Sequence, residues 1–247
     1  MTRIVHLLDD FAVGGVTRAL SLFEDARITA RAHSRIVPIG QGTRDILQFD
    51  ADMIVLHIPP SWRRLPFLAA LRLRNPKTRI VQVEHSYTRG FEALRVRHRA
   101  RFRALLRLAS RFVDEIVAVS HRQREWLIEA GIPARKVATI HPWCGRFDLS
   151  EVPPLTARSG PLRLLAYGRF SPEKNFVALV KAMAEFSPDE ATLTLFGAGS
   201  NEGRLRLAAS QCDTVRLQPA CPDPAPFLAE CDAVVVPSLC EAFGLVA

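Results

Sequence analysis

The 247-residue sequence has no uninterrupted apolar run near the roughly 18 to 20 residues that a bilayer-spanning helix needs. Its opening places Asp9 and Asp10 where a secretory signal would carry an apolar stretch, so a soluble, cytoplasmic protein is expected. Glycine (13) is scarce, glycine and proline (17) together fall far below the roughly 25 to 30% of low-complexity chains, and low-complexity tracts are missing, which excludes collagenous and disordered chains. The five cysteines, Cys144, Cys212, Cys221, Cys231 and Cys240, form an odd set with no C-x-x-C spacing. That pattern argues against a disulfide framework or a zinc site and predicts scattered reduced thiols. What is present, 48% apolar and 23% charged residues, suits a globular chain of one large domain or two ordinary ones.

Charge is unevenly placed. Residues 1–150 hold 25 lysines and arginines against 14 acids, and the remainder holds 8 against 11, so the basic surface belongs to the first part of the chain. Short apolar runs alternate with stretches of helical period. Strands are predicted at Arg3 to Leu8, Arg35 to Ile39, Met53 to His57, Arg79 to Glu84, Glu115 to Ser120 and Val137 to His141. Helices are predicted at Thr17 to Ala26, Arg63 to Arg74, Phe91 to Phe112 and Arg122 to Ala130, the last stopped by Gly131 and Pro133. Periodicity fails after Pro142, and Pro153-Pro154 with Ser159-Gly160-Pro161 reads as a linker.

A second series follows, with strands at Leu162 to Tyr167, Thr192 to Phe196, Thr214 to Leu217 and Ala233 to Val236. Its helices fall near Phe176 to Glu185, Glu202 to Ser210 and Ala225 to Glu230. Such β-α alternation predicts an α/β protein of two Rossmann-like, doubly wound domains, 1–150 and 162–247, joined by a linker at 151–161. Ligands of such sheets lie beyond the carboxyl ends of the strands, and the two domains are expected to face a cleft there.

Three segments carry chemistry. Gly14 and Gly15 follow the first strand and open a helix, where bare backbone and helix-end amides can meet a phosphate. The third glycine of the dinucleotide fingerprint is absent, and a plain strand-to-helix turn fits the same residues. In Tyr167-Gly168-Arg169-Phe170-Ser171-Pro172-Glu173-Lys174-Asn175, Arg169 leaves a strand end and Lys174 precedes a helix, so two cations can converge on one diphosphate, although on spacing alone surface solvation is the more common fate of such a pair. Near the chain end, Glu241 stands before Phe243, Gly244 and Leu245, a carboxylate for sugar hydroxyls beside amides for phosphate.

The segments GRFSPEKN, LFGAGS and VPSLCEAFGLV, in that order, with GGVTR and VSHRQREWL earlier, resemble the retaining GT-B glycosyltransferases of family 4, from about Arg3 to Ala247. The resemblance implies transfer of a sugar from a nucleotide-sugar donor to an acceptor hydroxyl. It implies Arg169 and Lys174 on the donor diphosphate, Glu241 on the donor sugar and the Phe243, Gly244 and Leu245 amides against sugar and phosphate. Gly14 and Gly15 would approach the donor phosphate or the acceptor. A histidine at a strand end of the first domain would face the sugar near the reacting carbon. His85 in VQVEHSY is the best match and His57 in VLHIPP its rival, although a lone strand-end histidine is more often structural. Helix amides and the two cations serve the leaving group, so no metal, cofactor or general base is expected.

The family motif places a second glutamate eight positions after Glu241, past Ala247, and the expectation from this departure is a truncated second domain. The rival reading is therefore a non-catalytic binding or assembly subunit.

Between Arg89 and Arg111 stand eight arginines, His98 and a single acid, Glu92. At helical spacing Arg99, Arg103, Arg107 and Arg111 form one stripe, opposite Leu94, Phe102, Leu105, Ala109 and Phe112. The stripe predicts docking on an anionic membrane, with a lipid-linked or glycan acceptor in envelope polysaccharide or glycolipid synthesis; a solvated helix face fits as well. Nucleic acid is not an expected partner, since stacking aromatics and a known motif are lacking.

Overall fold

The structure, a computed structural model, describes residues 1–9, 11, 15–40, 48–143, 149, 151–153, 159–221 and 223–244. Contacts divide the chain into two compact units, one of Met1–Gly145 with Glu241–Leu245 and the other of Arg146–Cys240 with Val246–Ala247.

The first unit runs β1 (Thr2–Leu8), α1 (Gly15–Leu20), α2 (Ala26–Thr29), β2 (Ala32–Pro38), β3 (Met53–Leu56), α3 (Leu65–Arg74) and β4 (Arg79–Glu84). It continues through α4 (Arg89–Arg95), α5 (Arg99–Ala109), β5 (Glu115–Ala118), α6 (His121–Glu129) and β6 (Val137–Thr139). All six strands are parallel, in the order β2-β1-β3-β4-β5-β6. Helices cover such sheets, which is why the strands read as apolar runs. Val5, Leu7, Ile54, Leu56 and Ile80 meet Leu68 and Leu71 of α3, Leu106 and Ala109 of α5, and Trp126 and Leu127 of α6 in one core. Because side chains alternate along a strand, His6 between Val5 and Leu7 belongs to the opposite face.

The helix boundaries have local causes. Thr88 accepts a hydrogen bond from the Phe91 amide to open α4, and Ser120 accepts one from Gln123 to open α6. Gly131, at φ 98°, ends α6 as its sequence position predicts. The single helix predicted from Phe91 to Phe112 is instead two, α4 and α5, separated by the extended Val96. Glu92 and Arg103, eleven positions apart, would lie about 16 Å apart along one straight helix. The break lets their side chains meet, with Arg103 Nε 2.6 Å from Glu92 Oε1. Leu94, expected on the apolar face, is exposed as a result. Likewise the helix predicted from Thr17 to Ala26 stops at Leu20 and restarts as α2, where Asp25 accepts from the Arg27 amide.

The second unit contains β7 (Leu162–Tyr167), α7 (Phe176–Met183), β8 (Ala191–Phe196), α8 (Glu202–Ala209), β9 (Val215–Gln218), α9 (Ala225–Glu230) and β10 (Ala233–Val234). Its strands are parallel in the order β10-β7-β8-β9. Ala166, Leu193 and Leu195 pack on Phe176, Val180 and Met183 of α7 and Leu205 of α8. Both units are thus α/β with parallel sheets, as the alternation predicts.

Candidate functional site

In the first unit the carboxyl ends of β1, β3 and β4 gather three imidazoles. Val55 lies opposite both His6 and Val81 in the sheet register. His57 is two residues beyond Val55, and His85 is two residues beyond the continuation of that register at Val83, so all three histidines share a face on a diagonal. His6 Nδ1 is 2.9 Å from His57 Nε2, and His57 Nδ1 is 3.1 Å from His85 Nε2. The rings of successive histidines lie end to end with their planes tilted by 29° and 22°, and Phe23 sets its ring against His6 at 4.4 Å between centroids. Burial pushes His6 and His85 down to about 4 and His57 to about 3, with the neighbouring imidazoles adding to the effect at His57. His85 and its rival His57 are therefore members of one hydrogen-bonded chain, and His6 is a third member that the apolar run of β1 conceals. One histidine near the end of each of three parallel strands is the signal the sequence offers.

The loops carrying these rings are braced. Glu84, fully buried, accepts from the Ser86 and Tyr87 amides at 2.8 and 2.9 Å, and burial pushes its carboxyl up to about 7 despite them. Tyr87 donates its hydroxyl to the Pro60 carbonyl at 3.0 Å, and Gln82 donates to the Ile58 carbonyl at 2.7 Å, which ties the loop after β4 to the loop after β3. Arg64 pairs with Asp9 and so holds the loop after β1 in the same group. Gly15 opens α1 and is exposed; Gly14 lies outside the described residues.

In the second unit, the segment after β7 is shaped by glycine. A Cβ on Gly197 would stand 2.1 Å from the Gly168 carbonyl oxygen, and one on Gly199 would stand 2.6 Å from that of Phe170. These clearances explain the LFGAGS motif: only bare backbone lets the loop after β8 lie against the loop after β7. Backbone bonds seal the pair, Gly168 N to Phe196 O at 3.0 Å and Phe170 N to Ala198 O at 2.8 Å. Phe170 is buried against Phe176, which leaves its neighbour Arg169 exposed at the strand end. Lys174, half-buried, closes a 3-10 turn, and Asn175 at φ 58° redirects the chain into α7. Both expected diphosphate cations thus sit on one braced loop. The Leu239 amide donates to the Glu173 carbonyl at 2.8 Å, joining that loop to the segment leading to Glu241. Glu241 and Phe243 are exposed, Gly244 adopts φ 81°, and Leu245 lies outside the described residues.

On the basic helix, Arg99, Arg107 and Arg111 are exposed, Arg111 just past the end of α5. Arg103 differs: its guanidinium forks onto both carboxylate oxygens of buried Glu92 and holds that carboxyl below its ordinary range, with Trp126 Nε1 donating from the other side at 3.0 Å. Arg103 is therefore committed to the interior and is removed from the surface stripe. Arg101 lies 5.5 Å over the ring of half-exposed Trp62, an aromatic the charge pattern does not reveal. Among the described residues no helix is long and apolar enough to cross a membrane, and no cluster of metal ligands occurs.

The sequence pattern of Glycosyltransferase Family 4 matches residues 22–144, and that of Glycosyl transferases group 1 matches residues 151–247. No curated protein sequence matches. Among solved structures, Anabaena HepE in complex with UDP and glucose is similar over 100% of this chain and 77% of its own, at 18% identity and a TM-score of 0.71. The lipopolysaccharide outer core galactosyltransferase WaaB, in apo form, is similar over 100% of this chain and 76% of its own, at 14% identity and TM-score 0.64. A glycosyltransferase from Rickettsia africae is similar over 96% and 73%, at 13% identity and TM-score 0.64. The architecture shared with these proteins is the GT-B fold.

Proposed function

Since the chain belongs to the GT-B glycosyltransferases, we propose that it moves a sugar from a nucleoside diphosphate donor to an acceptor hydroxyl with retention at the anomeric carbon. The observation that carries the reading is the braced loop from Gly168 to Asn175, which presents Arg169 and Lys174 from one end of the second sheet. Two cations carried on one braced stretch of backbone can neutralise a departing diphosphate, and preorganised charge stabilisation supplies most of the rate enhancement in many enzymes.

Glu241 accepts hydrogen bonds from hydroxyls of the donor sugar, with the Phe243, Gly244 and Leu245 amides against sugar and phosphate. Gly14 and Gly15 bring bare backbone to the donor phosphate or the acceptor, and His85 faces the sugar. Attack comes from the face that the diphosphate leaves, and the departing phosphate takes the acceptor proton, so no protein nucleophile is needed. Residues 1–150 serve the acceptor side, 151–161 the linker and 162–247 the donor side. A uridine donor is supported by HepE, which is seen with UDP-glucose, and an envelope polysaccharide or glycolipid acceptor by WaaB. The exposed arginines Arg99, Arg107 and Arg111 support docking on an anionic membrane face, where a lipid-linked acceptor would reside.

The test is turnover of UDP-glucose by wild type and by Arg169→Ala and Lys174→Ala. Each substitution removes a charge-assisted contact worth about 1.5 to 3 kcal/mol, so the rate should fall more than about tenfold. Near-normal rates in both variants would overturn the assignment, and a wild-type chain that binds UDP-glucose but never consumes it would favour a non-catalytic subunit.

A further inference from the structure

The diagonal of histidines has a property that no single ring would have. The N···N separations of 2.9 and 3.1 Å are hydrogen-bond lengths. They are not a shared metal site. Two nitrogens on one tetrahedral zinc would stand about 3.3 Å apart, and here His57 uses a different nitrogen toward each neighbour. Burial disfavours the imidazolium, so the chain is neutral near pH 7 and holds one proton per ring.

Two links between three neutral rings can be filled in only two consistent ways. In one, every ring carries its proton on Nδ1: His6 donates to His57, His57 donates to His85, and His85 keeps an Nδ1–H. In the other, every ring carries it on Nε2 and the direction reverses. Any other arrangement leaves one link with two protons or none.

The inner end decides between them. His6 is 1% exposed, and its Nε2 has no hydrogen-bond partner among the described residues. Reversed polarity would bury an orphaned N–H there, a rarer defect in folded proteins than an unpaired acceptor. At the outer end, His85 is half-buried and its Nδ1 makes no hydrogen bond among the described residues.

We propose that His6 and His57 are positioning residues that lock His85 in the Nδ1–H tautomer, so that its ring presents a hydrogen-bond donor to a sugar hydroxyl. The functional half rests on the reading above that His85 faces the sugar. The sealed inner end gives a proton nowhere to go, so the chain fixes a tautomer and does not shuttle protons. A fixed donor also fits a transfer in which the leaving phosphate, and no protein base, takes the acceptor proton.

The experiment is a long-range proton–nitrogen spectrum of the histidine rings in 15N-labelled chain at pH 7.5, assigned with single-histidine variants. Protonated Nδ1 and bare Nε2 are expected on His6, His57 and His85. Protonated Nε2 on all three, with the His6 N–H turned into the Phe23 ring, overturns the proposal, and this arm requires no variant to fold. In His57→Phe, His85 should relax to mixed tautomers. In His6→Gln, whose amide still donates to His57, the Nδ1–H of His85 should persist. An unchanged His85 tautomer in His57→Phe also overturns it.

Calorimetric titration tests the functional half: His57→Phe and His85→Ala should each bind UDP-glucose about five- to tenfold more weakly and UDP with unchanged affinity. Unchanged UDP-glucose affinity in His85→Ala sinks the placement of His85 on the sugar, whatever the spectra show. A loss in His85→Ala without one in His57→Phe sinks the positioning role alone.

Discussion

Arg103 clasps Glu92 across the break between α4 and α5, with Nε 2.6 Å from Oε1 and Nη2 2.9 Å from Oε2. Glu92 is 3% exposed, and its second oxygen also accepts from Trp126, so the carboxylate ties three helices together. Removing the cation strands a buried charge, whereas removing the charge alone leaves a neutral acceptor for Trp126.

Arg103→Ala should therefore cost about 2 to 4 kcal/mol of stability, and Glu92→Gln about half as much. Urea melts of the two variants and of the pair give the check. Because both changes break the same contact, the double variant should lose clearly less than the sum of the singles. Additive losses would show that the pair is not coupled.

Glycine at 197 and glycine at 203 make opposite predictions. Gly197→Ala drives a methyl group into the Gly168 carbonyl, which is backbone and cannot yield cheaply. It should destabilise the second unit and displace Arg169 with Lys174, so nucleotide affinity should fall together with stability. Gly203 sits within α8 with open space around it, so Gly203→Ala should stabilise by about 0.5 to 1 kcal/mol and leave affinity unchanged. Thermal melts with and without UDP separate the two cases.

Acid should weaken the fold for a reason peculiar to the first unit. His6, His57 and His85 titrate near 4, 3 and 4 in the folded chain, below the ordinary 6.5, so the unfolded chain binds more protons as pH falls below 6.5. Their contribution is complete above that pH and is lost on the way down to about 4. Glu84, raised from 4.5 to about 7, acts the other way, since its folded form takes up a proton first and gains stability as pH falls from 7 to 4.5. Three groups outweigh one, and near pH 5.5 the net slope should be about 2 kcal/mol per pH unit. His6→Leu should flatten this slope and Glu84→Gln should steepen it, as read from urea midpoints between pH 7 and 5. A slope that both variants leave unchanged would contradict the assignment.

The strands are legible in the sequence because parallel strands covered on both faces keep an apolar middle, Ile80-Val81 in Arg79 to Glu84 and Leu164-Leu165-Ala166 in Leu162 to Tyr167, where sequence and structure share the same bounds. The same property hides His6, whose single polar ring lies within an apolar run. Arg103 escapes the pattern for a different reason. Helical spacing gives the angle of a side chain about one axis, and the fold uses two axes between Arg89 and Ala109. Glycine can be identified as a loop former in LFGAGS, yet which carbonyl it must clear depends on the approach of β7 and β8, a long-range fact. The two cations proposed for the diphosphate come from a motif, and what the fold adds is that both occupy one braced loop.

Membrane docking, finally, yields a prediction sharpened by the loss of one arginine from the stripe. Arg99, Arg107 and Arg111 are exposed, while Arg103 is spent on Glu92. If the face carrying them meets anionic headgroups, each contributes about 1 kcal/mol, so the triple change to Gln should lower partitioning onto phosphatidylserine vesicles by about a hundredfold. The triple variant should keep its melting temperature, since none of the three holds a buried acid. Arg103→Gln should do the reverse, lowering the melting temperature with little effect on vesicle binding. Trp62, half-exposed beneath Arg101, adds a non-electrostatic anchor, so Trp62→Ala should weaken binding to a degree that salt does not alter. Vesicle sedimentation of the four proteins at low and high salt makes the comparison. Equal binding to neutral and anionic vesicles would remove the membrane reading and leave these arginines as a solvated helix face.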